Sequence, residues 1–559
     1  MKKSSFIVLI GILILSNEIT RASYDDGQVI NIQKENNVTN FKELNVLARQ
    51  GDVKSQLALG IIYLKRQDIT QDYSLALYWF RKAVEQGNAN AQYNLGQMYR
   101  LGLGIRQDDD QAANWYLKAA EQGNAQAQNN LGLMYQLGQG VRQDYSQALS
   151  WYRKAVEQGN AHAQNNLGVM YQLGQGLSQD YSQAVSLYLK AAEQGNAEAQ
   201  KNLGLIYVQG QGTAQDYKQA FNWFLKAAEQ GETVAQYNLG QMYRLGQGVD
   251  NDNVQAVNWY RKAAEQGNAE AQNNLGLLYV QGQGTAKDYN QALNWFLKAA
   301  EQGNANAQNN LGLMYRLGIG VSQDYSQALN WFNKAVEQDN AAAQNNLGLI
   351  YKHGYGVRKD EVQAINWYLK AAEQGNSEAQ KNLGLIYAQG QGVSQDYTQA
   401  VSWFLKAAEQ GNTVAQYILG WMYFKGEGIT QNYTKALNWL RKAAEKGNAD
   451  MQFQLGMIYH EANKSENKGY DVEAVKWWLA AAQQNHPIAQ NNMGMAYLEG
   501  IGVRPDCKLA LSWFHKSANL GERRAMYNLG DLYSKGLCVD QNKIQAETWY
   551  KKFNEAVKN

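Results

Sequence analysis

The chain repeats itself every 36 residues. The nine-residue motif AQYNLGQMY at residues 91–99 returns with small changes along most of the 559-residue sequence. Fourteen copies align on one glycine each, with a two-residue slip before the last two: Gly60, Gly96, Gly132, Gly168, Gly204, Gly240, Gly276, Gly312, Gly348, Gly384, Gly420, Gly456, Gly494 and Gly530. A fixed period of this length predicts an array of small stacked units rather than one closed enzyme domain.

Each copy is predicted to contain two helices, of which the first carries the motif. In residues 89–101, Ala91, Leu95 and Met98 are separated by four and three residues, which places them on one face of a helix. We name this first segment helix A.

The second half of each copy predicts helix B. In residues 144–158, Asp144 stands at the position of an N-cap, and small and aromatic residues then follow at helical spacing. Gly159 comes where a left-handed residue would end the helix, and Asn160 can cap the next helix A. The turn between the two helices is therefore very short, so we expect neighbouring helices to be antiparallel and in contact.

Small residues predict close packing of these helices. The motif glycine and the small residues near the end of helix B let backbones approach, and tryptophan and tyrosine fill the remaining space. A tryptophan nineteen residues after the motif glycine, such as Trp151, is present in thirteen copies and is predicted to lie in the core. Because one helix pair cannot bury both of its faces, the pairs are expected to stack.

The repeat pattern also resembles a known family. The run A-x-A-Q-x-N-L-G-x-M-Y, then G-x-G, then D-Y-x-Q-A-x-x-W-Y-x-K-A-A-E-Q-G-N is similar to the Sel1-like repeats, relatives of the tetratricopeptide repeats, over residues 41–559. The resemblance implies a protein adaptor without shared catalytic residues and, in exported bacterial examples, a role in host interaction or envelope assembly. The predicted fold is all-α, a right-handed α/α solenoid superhelix of about fourteen helix pairs.

The N-terminus predicts export. Residues 1–22 combine Lys2 and Lys3 with the apolar run 6–15 and small residues before a cleavage point near Ser23, which is typical of a signal peptide. The alternative is an uncleaved anchor, but this run is about half of what a membrane-spanning helix needs. We expect a periplasmic or secreted bacterial protein without stable membrane insertion.

The rest of the chain divides by regularity. Residues 23–40 are polar and aperiodic and predict a flexible leader, and residues 41–51 align with half a repeat and predict an N-terminal cap. Residues 52–460 form the regular array. Residues 461–559 are predicted to hold more divergent repeats and a C-terminal cap.

Charge and motif spacing exclude several classes of function. The 52 basic and 50 acidic side chains give a net charge of +2 and are spread over the repeats, which does not favour nucleic-acid binding. The segment 138–140, Gly-Gln-Gly, follows a helix and recurs, so it predicts a turn rather than a phosphate loop. The five histidines show neither metal-ligand nor nucleophile–base spacing, and we expect no metal, cofactor or catalytic site.

The two cysteines, Cys507 and Cys538, lie in A-to-B connections of consecutive repeats. Stacked repeats bring equivalent connections side by side, and in an exported protein this favours a disulfide. Their positions within the two connections differ by five residues, which leaves open whether the bond can form. Two inert buried thiols are the alternative.

One helix A differs from the others in the residues that it carries around its motif glycine. Trp421 follows Gly420 directly, at a position that holds Gln, Leu, Val or Asp in other copies. Residues three before, one after and four after the motif glycine share a helical face. In two consecutive copies this face is aromatic or apolar, and we predict that it binds a partner: Tyr417, Trp421, Phe424, Phe453, Met457 and His460.

Two alternatives to this partner-binding face remain. The face can instead pack against the irregular connection 460–471, and repeat irregularity near an array end favours this slightly. A second, polar face is a weaker candidate for binding partner carboxylates, although a solvated surface explains it equally well: Tyr93, Gln97, Arg100, Tyr237, Gln241 and Arg244.

The function predicted from these features is an exported, non-enzymatic scaffold whose concave surface binds another protein. Peptidoglycan is the alternative ligand, because aromatic rings also stack on sugars, and an envelope enzyme is one conceivable protein partner. A hydrolase is less expected, since the carboxylates recur at capping positions in every copy.

Overall fold

The computed structural model describes residues 38–65, 72–466 and 469–558, which form twenty-nine α-helices and no strand. The helices of type A are α2 (Val53–Lys65), α4 (Ala89–Leu101), α6 (Ala125–Leu137), α8 (Ala161–Leu173), α10 (Ala197–Gln209), α12 (Thr233–Leu245), α14 (Ala269–Gln281), α16 (Ala305–Leu317), α18 (Ala341–His353), α20 (Ser377–Gln389), α22 (Thr413–Lys425), α24 (Ala449–Glu466), α26 (Pro487–Glu499) and α28 (Arg523–Lys535). The helices of type B are α1 (Val38–Arg49), α3 (Tyr73–Glu85), α5 (Asp109–Glu121), α7 (Tyr145–Glu157), α9 (Tyr181–Glu193), α11 (Tyr217–Glu229), α13 (Asn253–Glu265), α15 (Tyr289–Glu301), α17 (Tyr325–Val336), α19 (Glu361–Glu373), α21 (Tyr397–Glu409), α23 (Tyr433–Lys446), α25 (Asp471–Gln483), α27 (Cys507–Asn519) and α29 (Lys543–Lys558). The predicted all-α repeat solenoid is thereby confirmed, whereas the predicted signal peptide 1–22 and nearly all of the predicted leader 23–40 lie outside the described residues.

The helices pack in sequence order within two compact units, which divide the chain between Ala299 and Ala300. Within each unit, every A helix packs most closely on the B helix that follows it and next on the B helix before it. This is the neighbour-to-neighbour packing expected of a repeat array.

The helix boundaries follow the capping signals. Asp144 precedes α7, and its Oδ1 accepts a hydrogen bond of 2.8 Å from the amide of Ser146. Asn160 begins the next A helix in the same way, accepting from the amide of Ala163 at 2.8 Å. Gly138 ends α6 in the left-handed conformation, with φ of 70°. The predicted caps are confirmed, because these side chains and this glycine satisfy backbone groups that a helix end leaves unpaired.

In the core of a repeat, the motif glycine of helix A packs against an aromatic ring of helix B. A Cβ atom added to Gly132 would lie 2.8 Å from the ring of Tyr152, which is fully buried. Trp151, next to it, is 8% exposed, and the ammonium of Lys154 lies 3.9 Å from its ring centroid. The tryptophan thus closes the edge of the core, and a lysine covers its outer side in a cation–π contact.

A buried glutamine connects three successive helices. Gln128 donates from Nε2 to the carbonyl of Ala120 on the preceding B helix at 3.0 Å. Its Oε1 accepts from Nε2 of Gln158, at the end of the following B helix, at 2.8 Å. Because both groups of its amide are used, Gln128 is buried without an unpaired polar atom.

The irregular connection 460–471 that the sequence predicts begins as an extension of the A helix. Helix α24 has 18 residues and continues to Glu466, whereas most A helices have 13 residues. Ala462 stands where Gly102 ends α4 in its left-handed conformation, so nothing stops the helix at that point. Oδ1 of Asn463, in the last turn of this helix, accepts a hydrogen bond of 2.9 Å from the amide of Tyr470, which follows the helix.

Candidate functional site

Most A helices are linked by asparagines. The asparagine two residues before one motif glycine donates from Nδ2 to Oδ1 of the asparagine three residues before the preceding motif glycine. We call this the asparagine ladder, and its bonds measure 2.8–3.1 Å in the pairs Asn166–Asn129, Asn202–Asn165, Asn346–Asn309, Asn382–Asn345 and Asn528–Asn491. The acceptor asparagines of these five bonds are all buried, so the ladder lies between the helices.

At α22 the two ladder positions hold Tyr417 and Ile418, and Trp421 and Phe424 add further aromatic side chains on the same helix. Tyr417 and Trp421 meet edge-on with ring centroids 6.3 Å apart, and Trp421 and Phe424 do so at 5.5 Å. Tyr433, at the start of α23, adds a fourth ring 5.5 Å from Phe424. We call Tyr417, Trp421 and Phe424 the aromatic face. All three side chains are half-buried, so each keeps part of its surface in contact with solvent.

The aromatic face also packs inward. Its three side chains contact an apolar cluster that includes Leu440 on the following helix α23 and Leu455 on α24. The indole Nε1 of Trp421 is buried and has no hydrogen-bond partner in the described part of the chain. Packing therefore explains the inner side of these rings, and Tyr470 of the connection 460–471 packs against the same cluster.

Phe453 does not belong to the exposed surface. It is 8% exposed, and the imidazole of His486 is stacked on it at a centroid distance of 4.5 Å. His486 is the N-cap residue just before α26, and its Nδ1 accepts a hydrogen bond of 3.0 Å from the amide of Ala489. Sequence spacing placed Phe453 on the surface because it could not show which histidine of the next repeat would cover it.

His460 is also engaged within the chain, whereas Met457 is exposed. Nδ1 of His460 lies 2.7 Å from Oδ1 of Asp471, at the start of α25. Met457 is 37% exposed, and its sulfur accepts from Nδ2 of Asn492 at 3.2 Å. The candidate surface thus consists of the aromatic face and Met457, while Phe453 and His460 support it from inside.

The polar face at Tyr93 differs from its prediction. Gln97 is 9% exposed, donating from Nε2 to the hydroxyl of Tyr93 at 2.8 Å and accepting from the hydroxyl of Tyr116 at 2.8 Å. Gln97 is therefore a buried link between two helices. Only Arg100 and the ring of Tyr93 keep partial exposure.

The second copy of that polar face has a similar internal network. Nε2 of Gln241 donates to the hydroxyl of Tyr237 at 2.7 Å, and Arg244 donates to Oε1 of Gln241 at 3.0 Å. Burial raises the pKa of Tyr237 above its usual value, which keeps the phenol protonated. The glutamine thus uses its polar groups internally, which weakens the case for this face as a partner site.

The two cysteines form a disulfide between consecutive repeats. Cys507 is the first residue of α27, and Cys538 takes the place of the second glycine of the G-x-G turn, with φ of 66°. In other repeats this second glycine lies on the first residue of the preceding B helix: a Cβ on Gly176 would come within 2.6 Å of Cβ of Tyr145. The five-residue offset between the cysteines is therefore the normal contact between neighbouring repeats.

Metal-binding groups and membrane-spanning helices are two further features that bear on function. Among the described residues, no group of three or more histidine, cysteine, aspartate and glutamate side chains is arranged to hold a metal ion. None of the described helices combines the length and the apolar character required to span a bilayer.

Comparison with known proteins gives a consistent result. The family model described as Sel1 repeat matches residues 53–88, 89–124, 125–160, 161–196, 197–232, 233–268, 269–304, 305–340, 341–376, 377–412, 413–448, 449–486, 487–522 and 523–556. A solved structure of a protective antigen present in uropathogenic Escherichia coli, described as displaying an SLR fold, is 36% identical, with 87% of this chain and 97% of that chain covered and a TM-score of 0.64.

Two more relatives are shorter matches. A Sel1 repeat protein from Oxalobacter formigenes is 36% identical and covers 56% of this chain and 91% of its own, with a TM-score of 0.43. A sel1-like repeat-containing protein of Acanthamoeba polyphaga mimivirus is 37% identical over 92 residues, which are 13% of this chain and 17% of that protein. The match therefore spans less than a fifth of the curated relative.

Proposed function

Because the chain belongs to the Sel1 repeat family, we propose that it is an exported, non-enzymatic scaffold that binds another protein through the surface of its A helices. Solenoids of this family typically mediate protein–protein interaction. The proposal assigns the anchor of that interaction to the aromatic face and Met457.

The observation that carries the proposal is the aromatic face itself. Tyr417 and Phe424 both meet Trp421 edge-on, all three rings are half-buried, and Met457, at the position of Trp421 in the next repeat, is exposed. In no other repeat does the position of Trp421 hold an aromatic residue. Tyrosine, tryptophan and methionine are enriched in protein interfaces, and half-buried aromatic residues supply anchors whose position is already fixed.

The export component rests on the sequence of residues 1–22. A charged start, an apolar run and small residues before Ser23 support secretion into the periplasm or out of the cell. The similar E. coli protein is described as a protective antigen. A role in host interaction or envelope assembly is the form of scaffold function that fits such a location.

The geometry favours a protein over a glycan as the ligand. Stacking on a sugar requires an open ring face, but Trp421 meets Tyr417 and Phe424 at interplanar angles of 72° and 84°. In each of these edge-on contacts, the edge of one ring therefore covers part of the face of the other. Peptidoglycan is kept as a comparison in the test.

The test compares variants that keep the packing of the repeat. Trp421→Leu introduces the residue that Leu349 and Leu385 provide at the same position in other copies, and Met457→Ala shortens the exposed neighbour. Leu385→Met is the matched control. We expect the wild type and the control to capture the same protein from envelope or host-cell extracts, and the double variant to lose it while keeping its thermal stability.

Two results would contradict the proposal. Equal capture by the double variant and the wild type would remove the aromatic face from the interaction. Binding to purified peptidoglycan that depends on Trp421, without a captured protein, would replace the scaffold by a carbohydrate-binding module.

A further inference from the structure

A third arginine occupies the repeat position of Arg100 and Arg244. Arg316 lies on α16, four residues after its motif glycine, and its side chain is half-buried. Its Nε is buried and has no hydrogen-bond partner among the residues that the structure describes. Arg244, by contrast, donates to Gln241. The two repeats differ at the neighbouring positions: in the repeat of Arg316, Leu313 replaces the glutamine and the tyrosine is absent.

The hydroxyl of Tyr368, near Arg316, also has no partner. Tyr368 is the fully buried ring that packs on Gly348 in the following repeat. Its Oη is buried and makes no hydrogen bond within the described part of the chain. Burial raises the pKa of Tyr368 and the nearby charge of Arg316 opposes this rise, so the two groups influence each other directly.

Two equivalent tyrosines show what this hydroxyl lacks, whereas the hydroxyl of Tyr260, at the same repeat position, is also buried without a partner among the described residues. Tyr152 donates to Oε1 of Gln136 at 2.7 Å, and Tyr188 donates to Oε1 of Gln172 at 2.6 Å. Both glutamines stand four residues after the motif glycine of the same repeat. In the repeat of Tyr368 that position holds Lys352, and an ammonium group has no lone pair to accept a hydrogen bond.

The remaining position next to the hydroxyl does not supply an acceptor either. Leu349 stands one residue after the motif glycine, where Gln97 accepts from Tyr116 in another repeat. Two buried donors, the hydroxyl of Tyr368 and Nε of Arg316, are thus left without acceptors. Buried donors of this kind are unfavourable unless a ligand supplies the acceptor.

The charges around these donors are predominantly positive. Burial and then the charge of Lys381 lower the pKa of Lys352. Lys381 is paired with Glu378 at 2.6 Å, and Glu361, which acts on Lys352, forms its ion pair with Lys359 at 2.9 Å. The pKa of His353 is lowered by burial and then by Lys352, Arg316 and Lys359. The unpaired donors and the excess of positive charge favour the binding of an anion.

The last repeat shows which anion fits these positions. The hydroxyl of Tyr550, equivalent to that of Tyr368, donates to Oδ1 of Asp531 at 3.0 Å. Nζ of Lys535 binds Oδ2 of the same carboxylate at 2.6 Å. Asp531 stands at the position of Leu349, so the chain itself places a carboxylate between a tyrosine hydroxyl and a cation there.

We propose that Arg316, Lys352 and Tyr368 form a binding site for the carboxylate of an acidic peptide segment. Tyr368 donates its hydroxyl to one oxygen, Arg316 donates from Nε, and Lys352 supplies a second positive charge. The site combines Arg316 on α16, Lys352 on α18 and Tyr368 on α19, and it rests on the proposed function only in that the ligand is a protein segment. It supplies a charged contact in addition to the aromatic face.

A direct binding measurement tests the site without knowledge of the natural partner. The full-length protein is titrated at low salt into a fluorescein-labelled hexaglutamate peptide and, separately, into a hexaglutamine peptide, and fluorescence anisotropy is recorded. We expect only hexaglutamate to bind, and added salt to weaken the binding. Arg316→Gln and Lys352→Gln should each weaken it by about tenfold or more.

Matched variants separate the site from general electrostatics. Lys359→Gln removes a nearby cation that already has a carboxylate partner and should change the affinity by less than about threefold. Tyr368→Phe removes one hydroxyl and should weaken hexaglutamate binding by about fivefold or more without lowering the melting temperature. Trp421→Leu should bind hexaglutamate like the wild type, so failure of the aromatic face would be distinguished from failure of this site.

Three outcomes would overturn the assignment. One is the absence of hexaglutamate binding to the wild type at millimolar concentration. Another is equal loss of affinity in Lys359→Gln and Arg316→Gln. The third is competition by inorganic phosphate at a concentration where acetate has no effect, because the site would then bind phosphate rather than a carboxylate.

Discussion

Cys538 is bonded to Cys507 because the residue eight after one motif glycine lies on the first residue of the preceding B helix. In repeats without cysteine the same contact is made by a glycine, as Gly176 does on Tyr145. The disulfide therefore strengthens an existing contact, and it joins the last two repeats across a sequence separation of 31 residues.

Loss of this disulfide should loosen the C-terminal repeats. Cross-linking across such a loop stabilises a protein by about 3–4 kcal/mol in the chain-entropy model. Cys538→Gly should lose less stability than Cys538→Ala, because glycine adopts the positive φ of this position at about 1 kcal/mol lower cost. Hydrogen exchange of the α29 amides measures the effect, and equal protection in the two variants would contradict it.

The motif glycine should not tolerate a side chain. A Cβ on Gly132 would lie 2.8 Å from the ring of Tyr152, so Gly132→Ala forces the two helices apart and should destabilise the protein by about 1–3 kcal/mol. Gln139→Ala, at an exposed position of the following turn, is the control and should stay within about 0.5 kcal/mol of wild type. Urea unfolding followed by circular dichroism provides the comparison, and a neutral Gly132→Ala variant would refute the close contact.

Two equivalent tyrosines should respond differently to removal of their hydroxyls. Tyr152→Phe breaks a hydrogen bond to Gln136 and should lower stability by about 1 kcal/mol. Tyr368→Phe removes a buried hydroxyl without a partner in the described part of the chain, so stability should stay the same or rise. Thermal melts of both variants at one pH decide the matter, and equal destabilisation would show that Tyr368 is hydrogen-bonded in the unliganded protein.

Acid should weaken the packing of the last helix through His515. Its ring lies 5.5 Å from that of Trp549 on α29, and burial, followed by the charge of Lys552, lowers its pKa below the ordinary 6.5. A lowered pKa means that the folded state favours the neutral imidazole, so its contribution is complete above pH 6.5 and is lost as the pH falls below this value. Hydrogen exchange of α29 at pH 7.5 and pH 5, corrected for intrinsic exchange, should show this loss. His515→Gln should reduce the difference, and an unchanged pH effect in that variant would assign it to another group.

Much of the fold could be predicted from the sequence because its signals are local. Asp144, Asn160 and Gly138 act on backbone groups within a few residues of themselves, so the helix ends follow from residue type and spacing. The same logic identified the aromatic residues at α22. It also indicated a departure from the repeat at 460–471, but it did not show that helix α24 continues to Glu466.

The candidate sites depended on contacts between repeats. Phe453 and His460 share a helical face with Met457, yet His486 and Asp471 from the next helices cover or bind them. Tyr368 looks like any other repeat tyrosine, but its neighbours Leu349 and Lys352 cannot accept its hydrogen bond. Leu349 and Lys352 lie in the same repeat as Tyr368, whereas Phe453 is covered by His486 at the start of the next A helix.

The periodic sequence was thus sufficient for the number of repeats, the helix type of each segment and the small residues that let helices approach, since each is set within about one helical turn. Tertiary structure was needed to show that Cys538 reaches Cys507, that Phe453 is covered, and that Tyr368 and Arg316 lack acceptors. The physical reason is that such contacts join side chains that are separated in the sequence, as Cys507 and Cys538 are by 31 residues, and that packing of the helices brings together.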